Sequence, residues 1–145
     1  VTSNKEKGDK FRDRVQEYFK YKECDLKPEY KVKVGFGKIK EHCFDLGNEG
    51  IVVECKRYDW TSSGNNPSAK ISTLHEALLI FSATPTDYKK KMLFIPKTGL
   101  KGKRTPETLV DRYIRLHEHL IPNDVEIWEF DETNLKAEKK FPADP

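Results

Sequence analysis

Apolar positions along the chain change period several times, and each change marks an element. Phe11, Val15, Tyr18 and Phe19 recur at helical spacing, which predicts a helix beginning at Asp9, with Asp9 as its N-cap. Residues 1–8 are polar and are expected to fray. After a polar connection over 20–29, Tyr30-Lys-Val-Lys-Val34 alternates apolar and basic, the pattern of a strand with one solvated face, and Gly35-Phe36-Gly37 breaks it. A second strand ends on Asp45, and Gly47-Asn48-Glu49-Gly50 supplies a turn. The third strand, Ile51 to Tyr58, opens on three β-branched residues, Ile51-Val52-Val53, which suit a strand covered on both faces. It then turns polar at Glu54, Lys56 and Arg57.

Trp60 to Ser68 is rich in Ser, Asn, Gly and Pro and reads as a loop. A helix follows from Ser68, its cap, to Ala83. Ile71, Leu74, Leu78 and Phe81 keep the helical period, and Ala77, Leu79 and Ile80 widen that face, so this is expected to be the most buried helix. Pro85 stops it. Met92 to Pro96 reads as a buried strand and Lys97 to Lys103 as a basic loop; the next helix runs from about Pro106, capped by Thr105, to Leu120. Val125 to Phe130 alternates and reads as the last strand, with Glu126 and Glu129 outward; residues 131–145 read as a polar tail. The predicted order is αβββαβαβ: an α/β fold, a mixed β-sheet flanked by helices on both faces.

The polar half of the third strand changes the picture. Glu54 and Lys56 are two apart and point to one side of the sheet, and Asp45 ends the neighbouring strand. Two carboxylates and a lysine then converge at the edge of a buried sheet. Unpaired charge in that place is costly and needs a counterion. Mg²⁺ suits it, because that ion takes one or two carboxylates, keeps waters and tolerates a substrate phosphate. The backbone carbonyl of Cys55 offers a further oxygen, and Lys56 stands where it can steady charge building on a phosphate. Such triples are common in charged chains as plain ion pairs; the strand-turn-strand setting is what favours a site here.

Composition adds bounds. At 145 residues the chain is the size of one domain, with a core expected over about 9–130. Charged residues make up 35% and hydrophobic ones 36%, so a soluble protein with a modest core is expected. A net charge of +3 permits nucleic-acid binding without demanding it, so local basic patches matter more. Lys31, Lys33, Lys38 and Lys40 form one such patch; Lys89, Lys90 and Lys91 with the loop lysines Lys97, Lys101 and Lys103 and with Arg104 form the densest. The first reads either as a phosphate track or as a solubilising edge strand. Arg57 is a further candidate contact, and Trp60 either stacks on a base or caps the core. Cys24, Cys43 and Cys55 show no CxxC spacing, which predicts free thiols in a reducing, cytoplasmic setting. No apolar run reaches membrane-spanning length, no signal-peptide pattern opens the chain, and Val1 suggests a trimmed or processed start. His117 and His119, two apart, cannot share a helical face and are set aside as a metal pair; His75 reads as structural.

Asp45 followed by Glu54-Cys55-Lys56 on a β-branched strand resembles the PD-(D/E)xK nuclease superfamily, to which many restriction enzymes and junction resolvases belong. Phe44 stands before Asp45 where the pattern has a proline. The resemblance implies a restriction-endonuclease-like core in which Asp45 and Glu54 bind metal and Lys56 is the catalytic lysine. It also implies that a polar residue on the second helix assists, here Lys70. An acid from the first helix often joins the metal; its usual place holds Arg12, which leaves Asp13 or Glu17. The expected activity is Mg²⁺-dependent hydrolysis of DNA phosphodiester bonds, with Mn²⁺ able to substitute. RNA and single strands stay open as substrates, and a homodimer or larger complex as the working form. The competing expectation is a catalytically inactive nucleic-acid-binding or assembly module on the same fold.

Overall fold

The computed structural model describes residues 3–101 and 106–144. Its elements, in chain order, are α1 (Asn4–Tyr21), β1 (Lys27–Val34), β2 (Lys40–Gly47), β3 (Ile51–Cys55), α2 (Ser68–Ser82), β4 (Lys90–Pro96), α3 (Leu109–His117), β5 (Val125–Asp131) and β6 (Lys136–Phe141), with a 3-10 turn at Glu118–Leu120. The six strands form one open mixed sheet in the order β1-β2-β3-β4-β5-β6. β1 to β3 are antiparallel, β3 to β5 parallel, and β5 and β6 antiparallel. The order is therefore αβββαβαββ, one strand longer than the sequence predicts.

β6 falls in the stretch expected to be a polar tail. Its pattern hides it: Lys136, Glu138, Lys139 and Lys140 leave only Ala137 and Phe141 to pack. An edge strand buries little and needs few apolar residues, and lysines there deter further pairing.

Two hydrophobic clusters lie on the two sides of the sheet. Phe11, Val15 and Phe19 of α1 pack with Leu46, Val53, Phe94 and Phe130. On the other side Ile71, Leu74, Leu78 and Phe81 of α2, with Val110 and Tyr113 of α3, pack on Phe44, Val52, Leu93 and Ile127. β3 and β4 alternate between these layers, so both of their faces are covered, as the β-branched run requires. Among the described residues no helix is long and apolar enough to cross a membrane.

Several element ends differ from the sequence reading. α1 begins five residues before Asp9, where Ser3 accepts the N–H of Glu6, so residues 4–8 are helical rather than frayed. Pro67, not Ser68, stands at the cap of α2. α3 starts at Leu109 with Thr108 and Asp111 exchanging hydrogen bonds in a capping box, while the expected cap Thr105 lies outside the described residues. β3 stops at Cys55, short of Tyr58, and the polar connection is cut short because β1 starts at Lys27. Glu129, expected outward, is buried. Lys91, counted with the surface lysines, is 2% exposed and donates to Asp124 Oδ2 at 2.7 Å and to the Thr84 carbonyl at 3.3 Å.

Candidate functional site

The site lies at a place where the sheet loses its regularity. The β2–β3 ladder holds only Leu46↔Val53 and Gly47↔Val52. It begins at a tight turn: Asn48 Oδ1 accepts the N–H groups of Gly50 and Ile51 at 2.8 and 2.9 Å. Gly47 is obligatory beside it, since a Cβ there would lie 2.5 Å from the ring of Tyr30. At the other end the ladder stops, and the carboxylate of Asp45 enters the gap to accept the N–H of Cys55 at 2.8 Å.

The chain also turns over at Asp45. Leu46 packs in the α1 layer, whereas Phe44, two residues earlier, packs in the α2 layer. A regular strand would put both on one face. In the adjoining strand Glu29, which would face Asp45, has a left-handed φ of 53° and is missing from the paired register. This coordinated twist puts His42 and Phe44 on the face that carries Glu54.

Asp45, Glu54 and Lys56 do converge. Glu54 is 4% exposed; its Oε2 lies 3.6 Å from Lys56 Nζ and its Oε1 lies 3.2 Å from His42 Nε2. Burial, and then the charge of Glu54, push the Asp45 carboxyl up to about 6; the Cys55 N–H, Lys56 and Arg12 oppose that rise. Burial also raises the Cys55 thiol, with Asp45 and Glu54 adding to it, so this cysteine stays protonated and offers its backbone rather than its sulfur.

The helix-1 acids are not brought in. Asp13 is exposed and holds Arg12 at 3.2 Å, while Glu17 holds Arg14 at 2.7 Å. Among the described residues no three His, Cys, Asp or Glu side chains gather as a metal-binding group. What remains is a carboxylate pair and the Cys55 backbone, a set of the sparse kind Mg²⁺ accepts. The Asp45 carboxyl is raised first by burial and then by the charge of Glu54, and a cation between the two would relieve both.

A cleft of about 520 Å³ opens next to this pair, and its wall includes Cys55, Lys56, Arg57 and Lys70, with Lys7 opposite on α1. Cys55 and Lys56 connect it to the carboxylates behind. Lys70 lies over the Tyr58 ring, 5.8 Å from its centre, and Tyr58 is itself hydrogen-bonded to Thr73. Arg57 faces Glu132 at 3.7 Å. Trp60 packs against the core and donates Nε1–H to the Gly99 carbonyl at 2.7 Å, so its ring caps the core. Lys101 lines a separate hollow with Trp60, Glu107 and Arg112. Lys38 and Lys40 are exposed at the opening end of β2, about 17 Å of strand from Asp45 for Lys40. Lys103 and Arg104 lie outside the described residues. Sequence reasoning offers no sign of Lys7 or His42: Lys7 reaches the cleft because α1 begins at Asn4, and His42 reaches Glu54 through the twist of β2.

Compared with protein-family models, with curated proteins and with solved structures, the chain matches none.

Proposed function

We propose that the protein is a metal-dependent nuclease that hydrolyses DNA phosphodiester bonds, with a sheet of the restriction-endonuclease-like kind and a PD-(D/E)xK site. One observation carries the reading: a buried Glu54 beside a half-buried Asp45, with Lys56 Nζ 3.6 Å from Glu54 and facing a cationic cleft.

In this reading Asp45 and Glu54 hold Mg²⁺, or Mn²⁺ in its place, with the Cys55 carbonyl as a further oxygen. The bound ion supplies charge neutralisation at the phosphate and acidifies the attacking water. Lys56 donates to the phosphate oxygen on which charge grows, from a position fixed by its own backbone N–H bond to the Phe94 carbonyl at 2.9 Å. Lys7, Arg57 and Lys70 hold neighbouring phosphates of the strand in the cleft and add affinity without sequence preference.

The test is supercoiled plasmid with Mg²⁺ or Mn²⁺, beside a Glu54→Ala variant and a chelator control. Metal-dependent nicking lost in Glu54→Ala supports the reading. A second reading, a nucleic-acid-binding module without chemistry, is favoured by the sparse ligand set, since no three His, Cys, Asp or Glu side chains are arranged to hold a metal ion together among the described residues. It predicts no nicking and DNA affinity that excess chelator leaves unchanged.

A further inference from the structure

The Glu54 carboxylate is held at both oxygens. Lys56 approaches Oε2 at 3.6 Å, and His42 approaches Oε1 more closely, at 3.2 Å. Lys56 follows directly on the last residue of β3 and is open to the cleft. His42 comes from β2 and is anchored independently. Its ring stands edge-on to Phe44 at 4.6 Å between centres, and the fully buried Phe44 stacks on Phe81 of α2 at 5.8 Å and 14°. A rigid aromatic series thus runs from α2 to the Glu54 oxygen.

A carboxylate only accepts hydrogen bonds, so the ring nitrogen facing it carries the proton. We infer that His42 is a positioning residue for Glu54: its Nε2–H fixes the carboxylate rotamer so that Asp45 and Glu54 present their oxygens to one cation. This rests on the reading of Glu54 as a metal-holding group. Partners behind a ligand commonly set its orientation and basicity, and removing one costs about 10- to 100-fold in metal affinity. Phe44 and Phe81 make His42 suited to this role, because a ring locked by packing loses little freedom when it donates.

The test measures Mn²⁺ affinity by titration calorimetry, and plasmid nicking against Mg²⁺ concentration, for wild type, His42→Leu, His42→Gln and Glu54→Ala. Leucine fills the space against Phe44 without a donor, whereas glutamine carries an N–H at a similar reach. His42→Leu is expected to weaken Mn²⁺ binding and to raise the half-maximal Mg²⁺ concentration about 10- to 100-fold, with KM for DNA unchanged. His42→Gln is expected to restore most of both. If His42→Leu binds Mn²⁺ as tightly as wild type, or if leucine and glutamine lose affinity equally, the positioning role is wrong. A wild type that binds no Mn²⁺, or a Glu54→Ala variant that binds it equally, overturns the metal-site reading itself, and the role of His42 with it.

Discussion

The carboxylate of Asp45 occupies the position of a missing ladder bond, accepting the Cys55 N–H at 2.8 Å where β2 and β3 separate. Leaving the ladder frees the Cys55 carbonyl side of β3 and holds a carboxylate within the influence of Glu54. Those two consequences set the end of β3 apart from a regular ladder end.

The same relationship makes stability depend on pH. The folded Asp45 carboxyl titrates at about 6, above its ordinary value near 3.8, chiefly through burial. The native state therefore holds a proton that the unfolded chain has released between those values. Its contribution is fully present below about pH 4 and is lost as pH rises through 6. Relative to Asp45→Asn, the metal-free protein should lose roughly 2–3 kcal/mol from pH 4 to pH 7. Urea melts of both proteins at the two pH values check this; parallel profiles would contradict it.

Under the nuclease reading, Lys56 separates chemistry from binding. Its ammonium is placed by β3 and by Glu54, and Lys7, Arg57 and Lys70 share the cleft. Removing a donor aimed at growing charge costs about two to three orders of magnitude in rate. Lys56→Ala should lose about that much in single-turnover cleavage while its DNA Kd moves only a few-fold. Cleavage as fast as wild type would end the assignment.

Much of this site was legible in the sequence, and the limits have physical causes. The Ile51-Val52-Val53 run fixed β3 as a covered strand, so Glu54 and Lys56 fell on one side and Asp45 beside them. His42 was not legible, because simple alternation does not foresee the reversal of faces between Phe44 and Leu46. Lys91 was read as surface because a lysine is rarely buried without a partner. Its partner Asp124 is 33 residues away and comes near only through the parallel β4–β5 pairing. β6 is hidden for want of apolar residues: Lys136 to Phe141 offers only Ala137 and Phe141, which pack in opposite layers across a register shift.

Lys91 yields a stability test. Its side chain is buried and bridges Asp124 to the Thr84 carbonyl. Taking away Asp124 leaves a buried ammonium with one weaker partner, whereas replacing the lysine with an apolar chain removes the demand. Because Asp124 is half exposed, water recovers part of the loss. Asp124→Ala should cost about 1–3 kcal/mol, and Lys91→Met in the Asp124→Ala background should recover most of it. A double variant no more stable than Asp124→Ala would show that the lysine is not the source of the penalty.

β6 yields the last. It pairs with β5 from Asp131↔Lys136 to Ile127↔Phe141, and Phe141 packs on the α2-side core. The turn before it is tied to α1, since Arg14 donates to the Glu132 and Thr133 carbonyls at 2.9 and 3.3 Å. A dispensable tail could be cut at Asp131 without effect. An edge strand could not: the cut removes several ladder bonds at about 0.5–1.5 kcal/mol each and bares the β5 edge. A chain ending at Asp131 should lose at least about 3 kcal/mol in chemical denaturation and associate at concentrations where the full chain does not. Sedimentation alongside the denaturation curves checks both effects, and a truncated chain as stable and as dispersed as the parent would restore the reading of this stretch as a tail.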